Sequence, residues 1–188
     1  MTSKELTFVP TKSNEQHIPK FNLNEYDIGE ILGKVPNGYI ALVKKIKTNQ
    51  FFSIKILRKS ELLQTKLIEH ELNHVQNLAC IYHPFIGELK AINNKNPYNL
   101  FYLGEYIAGI PLKTLIKINQ IIPLEQARFY SACIITVLDY LHKKKIIYRD
   151  IRPDNVFISN IGYIKLFEFT LSFNRNILSF FIKFIRFT

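Results

Sequence analysis

From residue 26 onward, short apolar runs alternate with polar breaks. YDIGEILGK (26–34), YIALVKKI (39–46) and FFSIKILR (51–58) are rich in β-branched and aromatic residues. The segments between them, KVPNG and KTNQ, carry turn residues, so three consecutive strands are predicted. From about Leu62 to Leu78 the spacing changes to apolar residues three and four apart, which predicts a helix. Two more short runs follow, IGELKAI (86–92) and NLFYLGEYI (99–107). A longer helix is predicted from about Leu124 to Lys144, with Pro123 at its first turn, where a missing N–H costs nothing. Then come a polar loop, YRDIRPDN (148–155), and two short strands, VFIS and YIKLF, around Asn160-Ile161-Gly162. The order β-β-β-α-β-β-α-α-loop-β-β is an α+β arrangement, not a parallel α/β one. Residues 1–22 are polar, with Pro10 and Pro19, and read as an extended lead-in.

Composition narrows the class. The chain has 188 residues, 47% hydrophobic and 21% charged, the balance of one globular domain. Its formal net charge of +10 admits nucleic acid, an anionic surface or phosphate ligands. The lysines are scattered (Lys44, Lys45, Lys47; Lys143, Lys144, Lys145) and no stacking aromatics interleave with them, so no nucleic-acid partner is expected. Cys80 and Cys133 have no C-x-x-C spacing and fit a reducing compartment. No signal core opens the chain and no apolar run is long enough to span a bilayer, so a cytoplasmic location is expected.

One short pattern points to metal chemistry. His70-Glu71-Leu72-Asn73-His74 is H-E-x-x-H, in which two histidines one turn apart hold zinc and the glutamate activates a water. A third ligand is also required, and His83 is the nearest candidate. A zinc hydrolase is therefore the remote alternative.

The loop Tyr148-Arg149-Asp150-Ile151-Arg152-Pro153-Asp154-Asn155 is more specific. It resembles the H-R-D-x-x-x-x-N catalytic loop of protein kinases, with the Tyr that the AGC group often shows in first place. ARFYSACIITVLDYLH, just before it, resembles the same region of cGMP-dependent protein kinases. Ser53-Ile54-Lys55 resembles the third-strand V-A-I-K, LGKVPNG (32–38) the glycine-rich loop, and GYIKLFEF (162–169) the strand entering D-F-G. The resemblance covers Tyr26 to about Phe173. It implies a small lobe (23–106) of a five-stranded antiparallel sheet plus one helix, followed by the front of a helical large lobe (107–173). It also implies ATP and Mg2+ as cofactors and transfer of a phosphoryl group to Ser or Thr.

Carried over position by position, the resemblance makes Asp150 the catalytic base, Arg152 the loop cation and Asn155 a magnesium ligand. Lys55 grips the phosphates, with Gly33 and Gly38 in the glycine loop. Leu32, Ile40, Ser53, Ile107 and Phe157 line the adenine slot; the alternative for all five is ordinary sheet core, which is the favoured reading for Leu32 and Phe157 taken alone. Glu105 and Tyr106 take the hinge, and Gly104 just before them opens a deeper pocket. Pro111 falls where an acidic ribose contact is common. Three departures affect cofactor handling. Val35 and Pro36 replace glycine-loop backbone that should lie close to phosphate. Glu168, the second magnesium ligand, stands where aspartate is expected, and its carboxylate sits one methylene further out. IEHELNHVQNL aligns so that the partner glutamate of Lys55 falls on His74, while Glu71, one turn earlier and offset by about 60°, would serve only if the helix rotated or shifted. Weak or absent ATP binding and impaired catalysis are expected, either as an incomplete enzyme or as a pseudokinase acting through partners.

After Phe173 the resemblance stops. NRNILSFFIKFIRFT (174–188) contains no activation segment or A-P-E motif, and the long helix should keep an exposed apolar face that invites a protein partner. Arg175, Ser179, Lys183 and Arg186 form a narrow polar stripe in an otherwise apolar tail, which suits weak contact with a membrane surface. The favoured account of the tail is non-functional sequence, such as translated intron. Nothing resembles a cyclic-nucleotide-binding domain.

Overall fold

A computed structural model describes residues 18–65, 71, 75, 78, 81–167 and 173–174. The predicted small lobe is present as a five-stranded antiparallel sheet of β1 (Tyr26–Val35), β2 (Gly38–Lys45), β3 (Phe51–Arg58), β4 (Leu89–Asn93) and β5 (Asn99–Glu105). Its spatial order is β1-β2-β3-β5-β4. Strand periodicity assigns the two faces different tasks. Ala41 and Val43 of β2, Ile54 and Ile56 of β3, and Phe101 and Leu103 of β5 point one way and form a core with Tyr26 and Ala91. The alternate residues point the other way. There Ile40 pairs with Lys55, Lys55 with Tyr102, and Ser53 with Gly104. That second face builds the site.

The helical segment packs on the same face. The short α1 (Lys59–Gln64) is followed by the helical positions Glu71, Val75 and Leu78. These are spaced i, i+4, i+7, so they share one stripe. Val75 joins Leu57, Leu62 and Tyr102 in a buried cluster. The end of the polar lead-in is part of this lobe: the Ile92 N–H donates to the Pro19 carbonyl, and Lys20 bridges Ile92 in parallel. The free edge of β4 is thereby partly covered.

The second part holds α2 (Leu112–Asn119) and α3 (Leu124–Lys143). A three-stranded sheet runs β6 (Gly109–Pro111), β8 (Val156–Ser159), β9 (Ile164–Leu166), and β7 (Ile146–Ile147) pairs with β10 (Phe173–Asn174). Cys133, Val137 and Leu141 recur at four-residue spacing on α3 and pack against Ile146, Tyr148, Val156, Ile164 and Leu166. Leu124, Phe129 and Ile135 of the same helix are exposed. Among the described residues no helix is long and apolar enough to cross a membrane. The tail from Arg175, with its polar stripe, lies outside the described residues, as do His70, His74 and Glu168.

Leu141 is fully buried at the centre of the α3 contact. Leu141→Ala should cost about 2–5 kcal/mol in urea unfolding. Lys143→Ala, which removes only the exposed Lys143–Asp139 pair, should cost about 0.5 kcal/mol or less.

Candidate functional site

A cleft of about 530 Å³ opens on the second face of the sheet. Of the residues predicted to line a nucleotide slot, Ile40, Ser53, Lys55 and Glu105 border it, with Leu78, Gly87, Tyr102, Gly104 and Phe167 added by the structure. Leu32 is exposed on β1, and Phe157 packs edge-on against Phe167 at 5.0 Å beneath it. Gly104 has little spare room: a Cβ there would lie 3.2 Å from the Ser53 hydroxyl and 3.4 Å from the Glu88 carbonyl.

The partner of Lys55 is not the residue predicted. Lys55 Nζ lies 3.7 Å from Glu71 Oε1, and both side chains are about nine-tenths buried. The alignment put that partner at His74, with Glu71 available only after a helix shift; the structure overturns it. Glu71 shares its helical stripe with Val75, which buries against the sheet, so its carboxylate is carried onto the lysine. Tyr102 also reaches it, and burial, then the Glu71 carboxylate and its hydrogen bond, push the Tyr102 phenol far above its ordinary range.

The placement of Glu71 does not fit the zinc reading, whose His70 and His74 lie outside the described residues. A glutamate of H-E-x-x-H must face a metal-bound water, whereas Glu71 is buried against an amine. Among the described residues no three His, Cys, Asp or Glu side chains converge on a metal. His83 is engaged elsewhere: its Nδ1 accepts the Phe85 N–H at 3.1 Å and its ring lies 4.9 Å from that of Tyr140.

The loop from Tyr148 to Asn155 is held from several sides. The Asn155 amide nitrogen donates to Asp150 Oδ2 at 2.7 Å and to the Asp150 carbonyl at 3.0 Å. Arg152 Nε approaches Asp150 Oδ1 at 3.4 Å while staying mostly exposed. Arg149 takes a positive φ of 62°, which turns the chain so that Asp150 faces inward. The Tyr148 hydroxyl donates to the Phe167 carbonyl, and the Phe167 N–H donates to the Asn155 carbonyl. The residue before Glu168 is thus tied to both ends of the loop. Asp154 bonds Lys113 of α2 at 2.7 Å; that hydrogen bond holds its carboxyl below the usual range.

The hinge is a junction. The Ser53 hydroxyl donates to the Glu105 carbonyl at 2.9 Å, and the Glu105 carboxylate accepts Lys165 Nζ of β9 at 2.9 Å. One residue therefore connects β3, β5 and the second sheet. In the segment that resembles the glycine loop, Gly33 and Gly38 differ in purpose. A Cβ on Gly38 would clash with the Ile56 carbonyl of β3, so the sheet itself needs that glycine. A Cβ on Gly33 would meet nothing within 4 Å. Val35 turns toward the buried cluster, and Asn37 closes the β1–β2 turn with a positive φ of 63°.

Asn155 suits a hard cation. Its nitrogen is committed to Asp150, so its oxygen is the ligand-capable atom. Sequence reasoning missed Tyr102, Lys165 and Phe167. Their roles come from strand pairing and from contacts between distant segments, which no local pattern displays.

The protein kinase domain model matches residues 26–178. Protein kinase 3 of Dictyostelium discoideum is 35% identical over 161 residues, 86% of this chain and 18% of that protein. The cAMP-dependent protein kinase type 3 of Saccharomyces cerevisiae is 31% identical over 150 residues, 80% of this chain and 37% of that protein. The human RAC-beta serine/threonine-protein kinase is 30% identical over 170 residues, 90% of this chain and 34% of that protein. The chain spans well under half the length of these relatives.

His83 sits beside the hinge junction, where burial and the Lys165 charge lower its pKa from 6.5. Below that value the unfolded ring takes up protons more readily than the folded one. The His83 contribution is therefore complete above about pH 6.5 and declines as the pH falls. The urea midpoint should drop between about pH 7.5 and pH 5.5, and His83→Asn, which keeps an acceptor for the Phe85 N–H, should flatten that drop.

Proposed function

Because the chain belongs to the protein kinase domain family, we propose that its cleft binds ATP with Mg2+ and serves phosphoryl transfer to Ser or Thr of a protein substrate. The observation that carries this reading is the buried Lys55–Glu71 pair at the base of the cleft. A charged amine placed at a largely apolar cleft and steadied by a carboxylate is what gripping a nucleotide's phosphates requires. The Ser/Thr class is supported by the similarity to relatives such as the human RAC-beta serine/threonine-protein kinase. Within that class, Tyr148 and the run ARFYSACIITVLDYLH favour the cyclic-nucleotide-dependent type.

Bound ATP–Mg2+ supplies the phosphoryl group and neutralises its charge; the chain's own residues position and polarise. Ile40 packs on the base, and Gly33, which the protein's own packing does not require, leaves backbone free for close approach. Asp150, oriented by Asn155, accepts the substrate hydroxyl's hydrogen. The Asn155 oxygen, left over when its nitrogen bonds Asp150, would hold the cation. We assign a depressed turnover to two substitutions, Glu168 at a metal-ligand position and Val35 in the phosphate loop. With little turnover, the site acts through nucleotide-dependent binding of a protein partner, for which the exposed face of α3 is available.

Thermal unfolding with millimolar ATP and Mg2+ tests the reading. At about ten times Kd, binding adds about 1.4 kcal/mol, a Tm rise of about 3–6 °C. The rise should vanish in Lys55→Met/Glu71→Gln, which removes the grip without leaving a buried charge unpaired. No rise in the wild-type chain with either Mg2+ or Mn2+ refutes ATP as a ligand.

A further inference from the structure

Lys55 and Tyr102 are directly opposed partners on β3 and β5, so their side chains leave the sheet on the same face. Glu71 comes down onto that face from the helical segment, and Val75, one turn on, packs with Tyr102 in the same cluster. Tyr102 is 4% exposed and Glu71 7%. At 3.7 Å the Lys55–Glu71 contact is longer than a direct charge-assisted hydrogen bond, so the ion pair alone fixes the carboxylate poorly. The Tyr102 phenol, buried on that same face, stands beside this carboxylate; burial, together with that charge, raises the phenol's pKa. A tyrosine hydroxyl is fixed in the ring plane and brings two stiff torsions, so it sets the position of what it bonds.

We propose that Tyr102 is a positioning residue for nucleotide binding: its hydroxyl holds the Glu71 carboxylate opposite Lys55, and this lets a glutamate one helical turn from the aligned position serve as the lysine's partner. The proposal rests on the ATP reading for its functional consequence and, for the link itself, on the placement of Tyr102, Lys55 and Glu71 on one buried face of the sheet. The hydroxyl contributes its hydrogen bond to the charged form of Glu71. Without it, the carboxylate is free to move away from Lys55 within the cleft. The ring supplies packing, which Phe retains. The prediction therefore concerns the oxygen and not the volume.

Isothermal titration of ATP–Mg2+ into the wild-type chain, Tyr102→Phe, Glu71→Ala and the double variant tests it. Tyr102→Phe should weaken binding about threefold to tenfold. Added to Glu71→Ala it should have no further effect, because its action passes through Glu71. Unchanged affinity in Tyr102→Phe, or the same loss with and without Glu71, overturns the proposal. Carboxyl ¹³C NMR gives a second readout that needs no nucleotide, with the Glu71 signal assigned by its absence in Glu71→Gln. Losing the phenol should raise the Glu71 pKa, and an unchanged value overturns the link. If the wild-type chain binds no ATP while the Glu71 pKa still rises in Tyr102→Phe, the nucleotide reading fails and the Tyr102–Glu71 link stands.

Discussion

Lys55 is a charge set in the middle of the apolar run FFSIKILR, and much of the small lobe is arranged around it. A buried ammonium is tolerated only when a carboxylate and further polar contacts compensate its lost hydration. That requirement draws the helical segment onto the sheet at Glu71, which forms an ion pair with Lys55. It also explains why a tyrosine occupies the opposing position on β5. The neighbouring positions Leu57, Leu62 and Val75 seal this polar group with apolar contacts. Low dielectric strengthens each contact in the group and makes the loss of any member costly.

The second part of the chain solves a different problem, that of holding a polar loop in one conformation. Asp150 needs to face the cleft, yet loop carboxylates are normally free to turn toward water. Asn155, itself buried, binds both the carboxylate and the carbonyl of Asp150 and closes the loop on itself. The loop is then anchored to β9 through Tyr148 and Phe167 and to α2 through Asp154 and Lys113. The hydrophobic contact of α3 with β7, β8 and β9 supplies the rigid base for these bonds. Between the two parts, Glu105 joins the sheet of the small lobe to Lys165. Motion about the hinge must therefore stretch or break this pair.

Much of the fold was legible because its elements are local and periodic. The three opening strands, the long helix and the final strand pair follow from alternation at two residues and recurrence at three and four. The loop motif was legible too, because its functional residues lie within eight consecutive positions. Within it the Asn155 amide hydrogen-bonds Asp150, a contact the motif itself does not state. The lysine's partner was not legible, since the rotation of a helix against a sheet depends on which stripe buries best. Alignment placed that partner at His74, whereas the stripe of Glu71 and Val75 is the one that packs on the sheet. Gly38 shows a related ambiguity: it fits a phosphate loop by sequence, yet the close approach of β3 alone requires it.

By itself the sequence determined the α+β class, the order of the strands, the polar loop and the candidate chemistry of Asp150, Asn155 and Lys55. Backbone propensity, side-chain period and turn residues act over short distances along the chain. The tertiary structure alone decided that Glu71 faces Lys55, that Tyr102 stands beside them, that Ser53 and Lys165 converge on Glu105, and that Tyr148 reaches the Phe167 carbonyl. Each of these joins residues brought together by strand pairing, hinge geometry or helix rotation. Those are set by the packing of whole elements against one another, which a linear pattern does not contain.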